Sequence, residues 1–371
     1  MNLNLELIYN IKKKIQFLYK RFAYGLFKIF YGEIKGYEIA GSNSDSNIQI
    51  SKFDNGLSYK IYTIFNARLY TDTINDTAII KNNKVISGPS FQIRNVKFEE
   101  VNKNIVFLKG TPRFKKKIKG NLFSLLTGGA GNHNYWHWMF DVLPRIKILS
   151  NIININHVDN FLLPNLNKKF QVDSLDLLEI PKEKRISSVT YRHVESKKII
   201  TTEHPYVIRN KASSEIQEIP LWIIKWLKKS LTKNISEDEI YKYSKKIYID
   251  RSDSTSNHSF MRKLVNESEI KSKLEKVGFK SVKLSNISLE SQIQIFKNAE
   301  IIVGLHGAGF TNLIFCNPNT NVIELKPAGA GLMYANLAEK CELNYKVISK
   351  KPEKFDQNNQ LGFIKVEIDE I

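Results

Sequence analysis

The chain has very little cysteine. Cys316 and Cys341 are the only two, and neither sits in a CxxC pair or beside a histidine at metal-ligand spacing. The sequence therefore argues against a disulfide framework and against a cysteine-based zinc site, and it fits a reducing compartment. Glycine and proline number only 18 and 10 in 371 residues, which sets the chain apart from fibrous and low-complexity proteins. No uninterrupted apolar run approaches the roughly 20 residues that a spanning helix needs. The amino terminus also lacks the short apolar core and small-residue cleavage site of a secretory signal. The GxGxxG dinucleotide fingerprint and a DxD carboxylate pair are likewise missing, and Asp250-Arg-Ser-Asp253 does not have the DxD spacing. The expectation is a cytoplasmic, globular protein that needs neither metal nor cofactor.

Hydrophobic residues make up 42% and aromatics 11% of the chain, enough to bury two cores of ordinary domain size. Lys and Arg outnumber Asp and Glu by 56 to 37, a formal net charge of +19 that concentrates anionic partners around the molecule. Charge alone leaves nucleic acid, an anionic membrane and a sugar-nucleotide diphosphate all open. The lack of a recognisable nucleic-acid motif counts against the first.

Leu5, Ile8, Ile11, Ile15, Leu18, Phe22 and Leu26 recur at three- to four-residue spacing among Lys12, Lys13, Lys14, Lys20 and Arg21. This pattern predicts a basic amphipathic helix over residues 1–34. Its apolar stripe suits an anionic leaflet through residues 1–30, at the inner face of the cytoplasmic membrane, or equally the protein's own body or a second subunit. Residues 35–212 read as a first α/β domain. Its β-rich beginning, from Ile48 to Leu108, is followed by a helical pattern from Asn132 to Leu149 and then by strand and helix in alternation. A helix carrying Ile219, Trp222, Ile223, Trp226 and Leu227 reads as a bridge over residues 213–240. From 241 to 371 five strands alternate with helices, and ligands of such a Rossmann-like unit bind beyond the carboxyl ends of the strands.

The most informative stretch is Asn298 to Asn312, where an apolar strand runs into Gly304, Gly307 and Gly309 and then a helix start. Such a turn lets backbone N–H groups at 307–309, including that of Ala308, approach an anion. His306 in that turn can donate to a phosphate oxygen or stabilise a leaving diphosphate. Arg251 follows the strand Lys246–Asp250, and Arg262 comes eleven residues later, before Asn266. Two guanidiniums converging at one sheet edge bind a diphosphate by paired hydrogen bonds and replace a divalent ion. Glu324 is read as the end of the next strand, where a carboxylate can accept both hydroxyls of a ribose.

A second cluster runs from Asn132 to Arg145. If it is helical, His133, His137 and Asp141 share one face, but they span about 12 Å, too far to close on one metal ion. His137 with Asp141 suits a general base on an acceptor hydroxyl, in which Asp141 takes the proton directly or orients His137. A structural hydrogen bond is the plainer alternative.

Taken in order, NYWHWMFDVLPR, YIDRSDSTSNHSFMRKLVNE, AEIIVGLHGAGFTNLIF and VIEL resemble the signature of glycosyltransferase family 61 over roughly residues 120–347. The resemblance implies a GT-B-like pair of Rossmann-type domains facing a cleft. It also implies transfer with inversion and without a required metal, from a nucleotide sugar to a glycan or lipid-linked glycan acceptor, as in bacterial capsular or lipo-oligosaccharide synthesis. Carried over, Arg251, Arg262, Asn266, His306, Gly307, Ala308, Gly309, Asn312 and Glu324 hold the donor, and His137 and Asp141 face the acceptor. The extended RSDSTSNHSFMR spacing and the basic amino-terminal helix depart from the family pattern. Two rivals remain: a transferase moving a group other than a sugar onto a glycan, and a non-catalytic basic protein that binds nucleic acid or membrane.

Overall fold

The structure is a computed structural model that describes residues 2–71, 77–94, 97–126, 133–236, 243–252, 262–353 and 362–371. Asn132 and most of the RSDSTSNHSFMR segment, residues 253–261, lie outside the described residues. The chain divides into two compact units. The first comprises Met1–Asn132, Arg145–Asn165 and Glu183–Pro205, and the second comprises His133–Pro144, Leu166–Lys182 and Tyr206–Ile371.

The first unit is built on one mixed sheet. Its long strand Ser58–Thr71 pairs antiparallel with Ser46–Lys52, Thr77–Lys81 and His193–Thr202. Beyond His193–Thr202 the direction changes, and Asn121–Ser124, Asn160–Leu163 and Arg185–Ser187 follow in parallel. The β-rich beginning and the α/β continuation expected from the sequence thus share a single sheet. Its core gathers Ile64, Leu69, Leu122, Leu162, Val194 and Ile199. The strand Arg185–Ser187 ends where residues 188–190 form a turn, in which the amides of Thr190 and Tyr191 both bond back to the Ser187 carbonyl.

The helix Asn2–Tyr31 also belongs to the first unit. Its last turns dock: Phe27 is buried, edge-on to Phe114 at 5.0 Å, and Tyr31 meets His193 edge-on at 4.9 Å. Further toward the amino end Leu7, Ile8, Ile11, Ile15, Leu18 and Phe22 are 48–69% exposed.

The second unit holds a five-stranded, all-parallel sheet of Lys246–Ile249, Lys280–Val282, Ile301–Leu305, Asn321–Pro327 and Asn344–Lys350. In space the order is second, first, third, fourth, fifth. The connection through the helix Glu267–Lys276 leads to one side of the first strand, and the connection through Leu289–Asn298 crosses to the other side. The winding reverses between the first and third strands, and such a switch point opens a crevice at the strands' carboxyl ends. Leu289–Asn298 forms because Ser288 caps it, its hydroxyl accepting from the Ser291 amide at 3.0 Å, and because Leu289, Ile293 and Phe296 place one apolar stripe inward.

The helix Leu221–Thr232, read from sequence as a bridge, lies within the second unit and buries Ile223, Ile224, Leu227 and Leu231. The Tyr135–Val142 segment, read as part of the first domain, also groups with the second unit. Trp138 donates its indole N–H to Ser174 at 2.8 Å, and Tyr135 donates its hydroxyl to Asn312 at 2.6 Å.

Candidate active site

The first and third strands of the second sheet deliver Arg251 and His306 to the switch point. Asp250, buried at the end of the first strand, accepts from Lys271 at 2.6 Å and from the Ser252 amide at 2.8 Å, which fixes the backbone on either side of Arg251. Burial alone would push the Asp250 carboxyl up, but Lys271 and Ser252 outweigh it and hold it below the ordinary value. Arg251 then reaches across and donates from Nη1 to the His306 carbonyl at 2.7 Å.

This contact explains Gly307. Its backbone is extended, so no left-handed geometry demands glycine, but a β-carbon there would stand 2.9 Å from Cζ of Arg251. Only a bare α-carbon lets the guanidinium lie on the loop. Gly309 is equally confined, since its added carbon would meet Leu284 at 2.9 Å. From Ala308 to Phe315 the chain forms a 3-10 helix, tighter than the α-helical start expected from the sequence.

Arg262 is the second guanidinium. Its backbone is left-handed, at φ 44°, an uncommon conformation for a long side chain. Nε and Nη1 are buried without a hydrogen-bond partner among the described residues. Burial first, and then the charge of Arg251, lower its pKa from the usual guanidinium value. A buried cationic donor beside a second cation is costly unless an anion completes it.

His306 is buried, and its Nδ1 lies 2.5 Å from Oε1 of Glu324. The other oxygen of Glu324 accepts from the hydroxyl of Tyr345. The ribose role read from sequence for Glu324 does not fit this placement. Its strand continues three residues further, to Pro327, and both carboxylate oxygens are engaged inside the protein. Burial lowers the pKa of His306, and Arg262 and Lys326 lower it further, against an upward pull from Glu324. Tyr334 meets the imidazole edge-on at 4.8 Å and touches Trp136 in the same manner at 5.4 Å.

The second histidine pair also lies in this unit. Nδ1 of His137 is 2.9 Å from Oδ2 of the buried Asp141. Asn134 caps the turn, accepting from the Trp136 amide at 2.9 Å, so His133 stands ahead of the helix and is exposed rather than sharing a face with the other two. From Trp138 to Val142 the helix widens to a π-turn, and the Leu143 amide reaches back to the Trp138 carbonyl at 3.1 Å. Such widened turns are frequent at functional sites. Tyr206 is buried against Asp141. Burial first, then the charge and hydrogen bond of Asp141, raise the tyrosine well above its ordinary value. For His137, burial pulls downward, but Asp141 overcomes it and the net shift is upward.

A family model described as Glycosyltransferase 61 matches residues 135–323, about half of the chain. The chain belongs to this family. The match starts at the first residue of the Tyr135 turn and ends one residue before Glu324, so it takes in both histidines. Among curated proteins, the chain is similar to a Gallus gallus EGF domain-specific O-linked N-acetylglucosamine transferase, 29% identical over 102 residues. It is also similar to an Arabidopsis thaliana beta-1,2-xylosyltransferase, 36% identical over 42 residues. These stretches cover 26% and 11% of this chain, and only 19% and 8% of the relatives' own lengths.

Within this glycosyltransferase 61 chain, two residues read from sequence as donor ligands have structural partners instead. Asn266 bonds the Val366 carbonyl from Nδ2 at 2.9 Å, and the fully buried Asn312 spans Gln292 at 2.9 Å and Tyr135. Tyr345, Tyr206 and Lys326 were not singled out from the sequence. Lys326 is buried and donates to the carbonyls of Ala330 and Gly331 at 3.1 and 3.0 Å, holding the turn that carries Tyr334. A lysine two residues beyond the buried Glu324 in a short central strand was the available signal. Among the described residues no group of three or more His, Cys, Asp or Glu side chains is placed to hold a metal ion.

Proposed function

We propose that the chain is an inverting glycosyltransferase that takes its sugar from a nucleotide diphosphate donor held at the switch point of the second unit. The observation that carries this reading is Arg262, a guanidinium with two buried, unpartnered N–H groups beside a second guanidinium. A diphosphate supplies the missing charge and acceptors, and the 307–309 backbone offers it a close approach. Arg251 and Arg262 then take over the charge that a divalent ion neutralises elsewhere, so turnover proceeds in EDTA. The acceptor is a glycan or lipid-linked glycan of a surface polysaccharide, capsular or lipo-oligosaccharide, and family membership supports this class over a nucleic-acid partner.

The test is calorimetric titration with UDP-, GDP-, CMP- and TDP-sugars, followed by the same titration of Arg262→Ala. One donor of the panel binds the wild type, and the variant loses about tenfold to a hundredfold in affinity, the cost of about one to two charge-assisted hydrogen bonds. Unchanged affinity in the variant would place the donor elsewhere. Turnover abolished by EDTA and restored by manganese would remove the metal-independent mechanism.

A second reading concerns the helix Asn2–Tyr31. Its exposed apolar stripe lies beside Lys12, Lys13, Lys14, Lys20 and Arg21, a pairing suited to an anionic leaflet at the inner face of the membrane. Co-sedimentation with phosphatidylglycerol vesicles should vanish on removal of residues 1–30 and at high salt. Retained binding by the shortened protein rejects this surface.

A further inference from the structure

A glycosyl transfer needs a base for the acceptor hydroxyl, and two histidine–carboxylate pairs in the second unit compete for that role. Their hydrogen bonds separate them. In the His306 pair the carboxylate is clamped: Glu324 is fully buried, receives Nδ1 of His306 on one oxygen at 2.5 Å, and receives the Tyr345 hydroxyl on the other. A carboxylate donates nothing, so the proton between the two belongs to Nδ1, and the neutral ring is left with its lone pair on Nε2. No described residue bonds Nε2. A lone pair facing the phosphates would repel them, whereas a hydroxyl is its natural partner. Nδ1 is already committed to Glu324, so the ring cannot serve the diphosphate as a donor without taking a second proton. Arg262 opposes that proton, as does Lys326 in the same strand as Glu324.

We propose that His306 is the catalytic base of the transfer, with Nε2 taking the acceptor proton, and that Glu324 and Tyr345 are positioning residues that fix its tautomer and basicity. This rests on the donor site assigned above. As the bond from the acceptor oxygen to the anomeric carbon forms, the hydroxyl proton passes to Nε2. The bond from the anomeric carbon to the diphosphate oxygen breaks, and its electron pair leaves with the diphosphate, whose charge Arg251 and Arg262 receive. The imidazolium is transient, stabilised by Glu324, and returns its proton to solvent once the diphosphate departs. Among the described residues the charged and titratable groups around the ring are Glu324 and Lys326 on the fourth strand, Tyr345 on the fifth, Tyr334 on the helix Met333–Lys340, Arg251 after the first strand and Arg262.

The experiment uses the full chain with water as the acceptor, so that no glycan has to be known. Release of nucleoside diphosphate is followed against pH for whichever UDP-, GDP- or TDP-sugar binds, and donor affinity is measured alongside. His306→Gln should lower release by about 10²- to 10⁴-fold, the range of a lost general base, with donor affinity unchanged. Glu324→Gln removes the group that raises the basicity of His306. The acid limb of the profile should then move to lower pH, with a lower plateau. Tyr345→Phe frees the second oxygen of Glu324, strengthens its pull on Nδ1–H and should move the limb to higher pH. A merely structural role would reduce rates without opposite movements of the limb.

The assignment of His306 is overturned by His306→Gln releasing diphosphate at the wild-type rate, by both positioning variants leaving the limb in place, or by a donor-bound wild type that releases none. Failure of every nucleotide sugar to bind the wild type would instead overturn the donor site on which the assignment rests.

Discussion

His137 and His306 both lean on a buried carboxylate through Nδ1, within one unit of the protein, yet they are shifted in opposite directions. Asp141 raises His137 above its ordinary value in spite of burial, whereas at His306 burial, Arg262 and Lys326 together outweigh the upward pull of Glu324. The carboxylates are alike, so the difference lies in the company. Arg262 and Lys326 act on the His306 ring, and the Glu324 charge is shared with Tyr345. Among the described residues burial and Asp141 are the causes of the His137 shift, and Tyr206 hydrogen-bonds Asp141. A histidine–carboxylate pair is therefore not a fixed device. The charges around it decide whether it offers a proton or a lone pair.

The sharpest way to break this contrast is kinetic. Glutamine at position 306 should cost about 10²- to 10⁴-fold in turnover, while glutamine at 137 should cost about tenfold or less. Side-by-side rates of diphosphate release decide it, and the reverse order moves the base to the His137 pair. Gly307→Ala comes next in size, because the new methyl must displace the Arg251 guanidinium from the His306 carbonyl. Donor affinity by calorimetry should fall by about tenfold, a loss of about 1.4 kcal/mol, with the unfolding midpoint little changed.

Tyr135→Phe tests how the His137 segment is held. Loss of the hydrogen bond to the buried Asn312 should lower stability to urea by about 1–2 kcal/mol. No loss would mean that packing of Trp136 and Trp138 suffices. The smallest effects are the titrations themselves. Proton NMR of the imidazoles should find His137 above 6.5 and His306 below it. The signs for stability are opposite. The His137 pair stabilises fully below the unfolded value near 6.5, and that contribution fades as pH rises through its higher folded value. His306 instead subtracts stability as pH falls below 6.5, because only the unfolded chain takes up the proton readily.

Much of the second unit was legible from the sequence. The expected alternation of five strands with helices from 241 onward is present, the helix Leu289–Asn298 among them. Local pattern carries such information because each strand is a short apolar run and each helix a stripe. The positions of Arg251, His306 and Gly307 were legible as well, since they follow on the strands Lys246–Ile249 and Ile301–Leu305. Glu324 was located but misread: its strand continues to Pro327, and nothing local announces that Tyr345, on the neighbouring strand, occupies its second oxygen. Asn266 and Asn312 looked like ligands for the same reason, because an amide's partner 20 or 100 residues away leaves no trace in spacing. Nor could periodicity assign Tyr135–Val142 to a unit, since the contacts that tie it there, to Ser174, Asn312 and Tyr334, are long-range.

That segment has a consequence for biosynthesis. Tyr135 waits for Asn312, 177 residues later in the chain, and Trp136 waits for Tyr334. At about 5–20 residues per second of synthesis, roughly ten to forty seconds separate the emergence of these partners from the ribosome. For that interval Trp136, buried in the finished protein, lacks the Tyr334 ring that packs on it. The second unit is interleaved with the first in sequence, so it cannot close domain by domain in the order of translation. The nascent chain carries an aromatic patch that invites a holding chaperone, and a fragment starting at Tyr206 would lack the plug that fills its own core.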